Sequence, residues 1–200
     1  MAEVKLTKNE LRAQQVKLAQ LERYLPTLQL KKAMLQTEVN YVRHEIKALA
    51  QEFTREKGVV EGYSALVYEM STPTAEQVTA VEKVAKRYEN IAGVDIPFFE
   101  GIAFEEVSYS LFDTPPWLDG VIDGLRKVVT AHAKVDVAEE KKAALEKELR
   151  EVSIRVNLFE KIMIPRSRQN IRKIKVFLGD QELAAVSQAK VAKNKIGKKR

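Results

Sequence analysis

Leu35-Gln36-Thr37-Glu38-Val39-Asn40-Tyr41-Val42-Arg43-His44-Glu45-Ile46-Lys47-Ala48-Leu49 is the stretch that decides the fold. Its apolar residues Leu35, Val39, Val42, Ile46 and Leu49, with Phe53 beyond, fall at intervals of 4-3-4-3-4. That alternation is the narrow seam of a coiled coil, not the broader stripe of an ordinary globular helix. Leu18, Leu21, Leu25 and Leu28 extend the apolar side upstream. Thr7 followed by Glu10 reads as a capping box, and Ser71-Thr72-Pro73 ends the segment near Met70.

The other end of the chain repeats the pattern. Leu145, Leu149, Val152, Val156, Phe159 and Met163 are again spaced 4-3-4-3-4, and Ile171, Ile174 and Leu178 resume it. Thr114-Pro115 has the form of an N-cap followed by a first-turn proline, so a helix is expected from Pro115 to about Ala192. At 1.5 Å per residue, helices of some 60 to 75 residues are each roughly 90–110 Å long. A compact chain of this size has a radius of gyration of only about 16 Å. The expected class is therefore mainly α, a long antiparallel two-helix coiled coil with a small head between the helices. The divisions read as 1–73 for the first helix, 74–113 for the head, 114–192 for the second helix and 193–200 for a basic tail.

In an antiparallel pair, facing residues have a constant sum of residue numbers. At 191, Leu28 faces Met163, Leu35 faces Val156, Val39 faces Val152, Val42 faces Leu149 and Ile46 faces Leu145. Sums of 184 and 198 align a seven-residue repeat equally well. Only 191 puts Pro26 and Pro165 at one level, where each removes a backbone donor, so 191 is the expected register.

The head differs in character. Val94, Ile96 and Phe98 alternate, as do Val107, Tyr109 and Leu111, with Gly93 and Gly101 as turn residues. Residues 78–88 read either way: Val78, Val81, Ala85 and Tyr88 have helical spacing in a valine-rich, strand-like stretch. Gly58/Gly62 and Gly120/Gly124 mark close backbone approach or flexibility where the helices meet the head, and Trp117 is expected to pack there.

Charge and composition exclude several classes. The net charge is +6, yet residues 58–123 hold 3 basic and 12 acidic side chains, and residues 183–200 hold 6 basic and no acidic ones. Lys5, Lys8 and Arg12 at one end and Lys190, Lys193, Lys195 and Lys198 at the other form a candidate basic tip. A nucleic-acid arm is disfavoured because no aromatic follows Phe177 and no binding motif is present. The absence of Cys excludes disulfides and thiolate metal sites. No charge-free run exceeds seven residues, so no membrane span is expected, and charges near the start leave no signal-peptide core. His44 and His132 stand in no metal-binding arrangement, and Glu105-Glu106 would point to opposite faces of a strand. No phosphate loop or GxSxG elbow is encoded. No catalytic, metal or cofactor site is expected.

Three stretches carry a resemblance. They are Lys5-Leu6-Thr7-Lys8-Asn9 leading to Leu28-Gln29-Leu30-Lys31-Lys32-Ala33-Met34-Leu35-Gln36; Tyr88-Glu89-Asn90-Ile91-Ala92-Gly93-Val94-Asp95-Ile96-Pro97; and Arg155-Val156-Asn157-Leu158-Phe159-Glu160-Lys161-Ile162-Met163-Ile164-Pro165 with Ile171-Arg172-Lys173-Ile174. Over essentially the whole chain, the sequence resembles the D subunit of the V-type (A-type) rotary ATPase/ATP synthase. Many members read Leu-Lys-x-Lys-Arg-Asp where this chain has Leu30-Lys31-Lys32-Ala33-Met34-Leu35, so it is similar to the bacterial branch and contacts of the Arg-Asp pair do not carry over.

The resemblance implies a non-catalytic central rotor shaft, cytoplasmic and peripheral to the membrane, coupling an ion-driven ring to ATP synthesis or hydrolysis. It implies that the basic termini enter the ring of catalytic A and B subunits. It also implies that the middle of the chain binds the F subunit and sits on the funnel-like C subunit. It places a β-hairpin at 78–99 with its turn near Asn90–Gly93, and makes Asn90, Gly93, Val94, Ile96 and Pro97 candidates for partner contact. Arg155, Asn157 and Pro165 belong to the most specific family stretch. Neither nucleic acid nor direct membrane insertion is implied. The alternative is a stand-alone coiled-coil scaffold or nucleic-acid-binding rod.

Overall fold

A computed structural model describes residues 4–70, 73–110 and 114–197. Ser71, Thr72, Leu111 and Lys198, each part of an expectation above, lie outside the described residues. The fold is mainly α. Its elements are α1 (Lys8–Glu61), α2 (Ser64–Glu69), α3 (Ala75–Thr79), β1 (Val81–Ile91), β2 (Val94–Phe104), α4 (Leu118–Leu158), a π-helical turn (Phe159–Met163) and α5 (Ile164–Gly197). Contacts divide the chain into one unit of residues 33–150 and another of residues 1–32 with 151–200.

Helix α1 begins as its cap residues dictate. The Glu10 amide donates to the Thr7 hydroxyl at 3.2 Å, while the Glu10 carboxylate accepts from Gln14 at 2.9 Å. Only the hydroxyl half of the expected capping box is therefore made. Pro26 is accommodated inside α1 without interruption. The helix does not continue to Met70: it breaks at Gly62-Tyr63 and restarts as the short α2.

At the start of the second long helix, the expected cap is spent elsewhere. The Thr114 hydroxyl donates to the Ser110 carbonyl at 2.9 Å, and Pro116 disfavours helical backbone at Pro115. A turn bridges to α4, with the Leu118 amide donating to the Pro115 carbonyl at 3.0 Å. Helicity then persists to Gly197, so the expected tail from 193 is helical through the described residues.

In the unit of residues 1–32 and 151–200, the π turn ends two residues before Pro165. Proline has no amide to donate and its ring crowds the carbonyl four residues back, here Lys161; a turn wider by one residue removes that conflict. The extra residue rephases the seam. Val152 and Val156 are buried before the turn, and Ile164, Ser167 and Ile174 after it. Val156 to Ile164 is a step of eight, one more than a heptad.

In the unit of residues 33–150, the seam is Leu35, Val39 and Val42 on α1 with Ala131, Ala138, Lys141 and Leu145 on α4, all buried. Ile46 and Leu149 are half-buried. Residue numbers in contact across this seam add to 185 for Phe53–His132, 186 for Glu52–Lys134 and Glu45–Lys141, and 182 for Tyr41–Lys141. The register here is therefore the one near 184, which corrects the expectation of 191. Two arginine pairs, Arg43–Glu146 and, in the other unit, Glu22–Arg168, add to 189 and 190 through long flexible arms. The prolines do not set the register because they are unlike: Pro165 needs a π turn and Pro26 does not.

The ambiguous stretch resolves into two elements. Val78 lies in α3, which carries a full capping box between Thr74 and Gln77, and β1 starts at Val81. The hairpin spans 81–104, longer than the 78–99 expected, and its strands are antiparallel. Ala92 and Gly93 both have positive φ, 52° and 80°, the signature of a tight two-residue hairpin turn. The Gly93 amide donates to the Asn90 side chain at 3.0 Å, and Asn90 donates to Asp95 at 2.7 Å. Residues 105–110 are not a strand, so the alternation of Val107 and Tyr109 does not mark one. These two residues instead pack, with Met70, Trp117 and Leu125, on a small core of Val78, Leu118 and Ile122.

Candidate functional site

Among the described residues, chemistry-bearing side chains do not converge on a metal site: no group of three or more His, Cys, Asp or Glu could hold a metal ion. His44 is exposed; His132 pairs with Asp136 at 2.9 Å and stands edge-on to Phe53, with ring centroids 5.3 Å apart. The Glu105 backbone is occupied structurally: its amide donates to the Ala80 carbonyl and its carbonyl accepts from Arg126. Among the described residues, no helix is long and apolar enough to cross a membrane.

What the chain offers instead is surface, and the head's surface is acidic. Glu82, Glu89, Asp95, Glu100, Glu105, Glu106, Asp119 and Asp123 are all exposed. Part of that charge is tied down. Asp123 pairs with Lys127 at 2.6 Å, and Tyr109 donates to Asp119 at 2.7 Å. The Asp119 bond holds the Tyr109 phenol above its ordinary value, and the bond to Glu140 does the same for the Lys86 ammonium. Of the candidate partner contacts, Asn90 and Gly93 are exposed and Val94 is half-buried. Ile96 and Pro97 are buried within the chain and present no surface to a partner.

Cations and aromatic rings seat the hairpin on α4. The Lys141 ammonium lies 4.1 Å from the Phe98 ring centre, and the Arg126 guanidinium lies 5.0 Å from that of Phe104. Lys86 on β1 pairs with Glu140 on α4. Arg126 also donates to the carbonyl of Val78 at 3.0 Å, so one side chain joins α3, the end of β2 and α4.

At the other charged surface, Lys5, Lys8, Arg12, Lys190, Lys193 and Lys195 are all exposed. Leu6 shares a recess with Arg172, Lys173, Val176 and Phe177 of α5. Lys190 stands about 20 Å farther along α5 than Phe177 at 1.5 Å per residue. The six described basic residues thus form two groups, not one cluster. Residues 181–196 are exposed on every side, including Leu183, Val186, Val191 and Ile196.

The family model described as the D subunit of ATP synthase matches residues 10–194. The chain belongs to that family. It is 45% identical over 199 residues to the V-type ATP synthase D subunit of Chlamydia caviae, covering 98% of this chain and 94% of the relative. The corresponding proteins of Chlamydia felis, at 44%, and Chlamydia trachomatis serovar L2, at 42%, are likewise covered over 94% and 97% of their lengths.

Within this member of the D-subunit family, the family-stretch residues Arg155, Asn157 and Pro165 are exposed and flank the π turn. Sequence reasoning missed Lys141, Arg126 and the contact of Tyr63 with Gly124. A Cβ on Gly124 would lie 1.8 Å from the Tyr63 hydroxyl. Lys141 was nevertheless within reach: counting the 4-3 spacing back from Leu145 lands on Lys141, Ala138, Lys134 and Ala131.

Proposed function

We propose that this chain is the central rotor shaft of a V-type ATP synthase, carrying torque between an ion-driven membrane ring and a catalytic ring of A and B subunits. In this reading it is a non-catalytic, peripheral component. It serves ATP synthesis driven by an ion gradient, or ATP-driven ion pumping. The observation that carries the reading is the far end of α5. Sixteen residues of helix, 181–196, are exposed throughout among the described residues and mix apolar and basic side chains. A helix left bare on every side suits a sleeve formed by other subunits, where it can turn without one fixed docking face.

The acidic head suits contact with the F subunit and with the funnel-like C subunit, through Asn90, Gly93 and the exposed carboxylates. The basic residues Lys5, Lys8, Arg12, Lys190, Lys193 and Lys195 face the catalytic ring in this reading.

The test is native purification through a tag on this chain, followed by activity of the recovered complex. The expected result is co-purification of the A, B, F and C subunits, with no ATP hydrolysis by the chain alone. Truncation at residue 188 is expected to keep the complex but reduce ion pumping per ATP hydrolysed. Recovery of the chain alone, with steeply salt-dependent nucleic-acid binding, would instead establish the scaffold or nucleic-acid rod.

A further inference from the structure

The seam between α1 and α4 in residues 33–150 poses a selection problem. Its apolar pattern repeats every seven residues, so burial alone hardly distinguishes registers one heptad apart. A slip of one heptad displaces one helix by about 10 Å along the other. Something other than the apolar residues favours the register near 184 over those at 191 and 198.

We propose that a two-rung ladder of lysine–glutamate pairs, Lys141–Glu45 and Lys134–Glu52, locks this coiled coil against the slips to 191 and 198. The lysines are seven residues apart on α4 and the glutamates seven apart on α1, running in opposite directions. Both rungs therefore close in the same register. The Lys141 ammonium lies 3.2 Å from Glu45, and the Lys134 ammonium 3.0 Å from Glu52. Lys141 is 2% exposed, so its charge depends on a partner inside the seam.

A slip to the register at 191 breaks the ladder in a specific way. Lys141 moves to Glu52, Lys134 comes opposite Val59, and Glu45 comes opposite Glu148. One attractive rung is lost and a like-charge pair takes its place. Lys141 also leaves Tyr41, whose ring centre lies 5.9 Å from its ammonium, for Ala48. At 198, Lys141 meets Val59 and Glu52 meets Glu148, so neither rung survives. A polar residue at a seam position commonly specifies register in this manner. Because Lys141 also lies against Phe98, the rung that sets the register is the one that seats the hairpin. The lock holds for this coil whether or not the chain carries torque.

The test exploits the absence of native cysteine. Cysteine replaces Ile46 together with either Ala138, its facing residue at 184, or Leu145, its facing residue at 191. Each pair is treated with a short thiol cross-linker in the full chain. With the native ladder, the 46/138 pair is expected to link at least tenfold more efficiently than 46/145.

Glu45→Lys places like charges together at 184 and opposite charges, with Glu148, at 191. It is expected to invert the preference, and adding Lys141→Glu is expected to restore it. Should Glu45→Lys unfold the coil, recovery of helicity and of 46/138 linking in the double variant supports the lock equally. Unchanged 46/138 preference in a folded Glu45→Lys variant, or failure of Lys141→Glu to restore it, would overturn the proposal.

Discussion

The head and the far end of α5 are opposite solutions for residues that have no seam. The described residues of the head, with the start of α4, are held by specific side chains: Arg126 on two carbonyls, Tyr109 on Asp119, and Tyr63 against Gly124. Residues 181–196 are one regular helix held by its own backbone, with every side chain exposed. The head's geometry is thus completed within the chain, and the helix end leaves its side chains to whatever surrounds it. Substitutions should therefore register in the stability of the isolated chain in the first region, and only in the assembled complex in the second.

The largest effect expected is that of Arg126→Ala. It strips two carbonyls of their donor and removes the cation from the Phe104 ring, for a loss of about 2 kcal/mol in the head. Hydrogen exchange should show faster opening of β2 and of the residue 105–110 segment. Protection equal to the native chain would mean that the head does not depend on this side chain.

A smaller and more diagnostic effect is expected at two glycines on one face of α4. Gly124→Ala would drive a methyl into the Tyr63 hydroxyl, and overpacking less the alanine's helical advantage leaves a net loss of about 1 kcal/mol. Gly120→Ala meets open space and should stabilise by about 0.5–1 kcal/mol. Thermal unfolding followed by circular dichroism separates the two. Equal shifts of one sign would remove the close approach at Gly124 from the account.

The smallest effect is expected for Lys193→Ala on α5, within about 0.5 kcal/mol of the native chain. Its consequence should appear only in coupling by the assembled complex. A clear loss of stability in the isolated chain would contradict the bare helix end.

Much of this was legible in the residues. The heptads at Leu35–Val42 and Leu145–Val156 announced the coiled coil because seam burial is periodic and needs no knowledge of the partner. The π turn was not legible, because the 4-3-4-3-4 spacing runs unbroken through Phe159 and Met163 and the extra residue shows only in the burial of Val156 and then Ile164. The start of α4 was misread because two acceptable caps compete locally: Thr114 can serve the helix or bond Ser110, and only the packed head decides. Residues 78–88 were undecidable for a similar reason, since valine at helical spacing satisfies both rules until Thr74 and Gln77 close their box. The register escaped because apolar residues were weighed alone. The 4-3 spacing counted back from Leu145 puts Lys141 on the seam, and its role emerges once it is weighed beside Glu45. Among the candidate contact residues, burial of Ile96 and Pro97 depends on tertiary packing that strand alternation does not describe.

Trp117 gives the head an optical consequence. It is the chain's single tryptophan, and it rests half-buried on the core of Val78, Leu118 and Ile122. Intrinsic emission excited at the red edge of protein absorption therefore originates in the head alone, with no contribution from α5. A red shift in that emission while the far-ultraviolet signal of the long helices stays unchanged would separate loosening of the head from melting of the coil. The chain carries a local spectroscopic probe that needs no label.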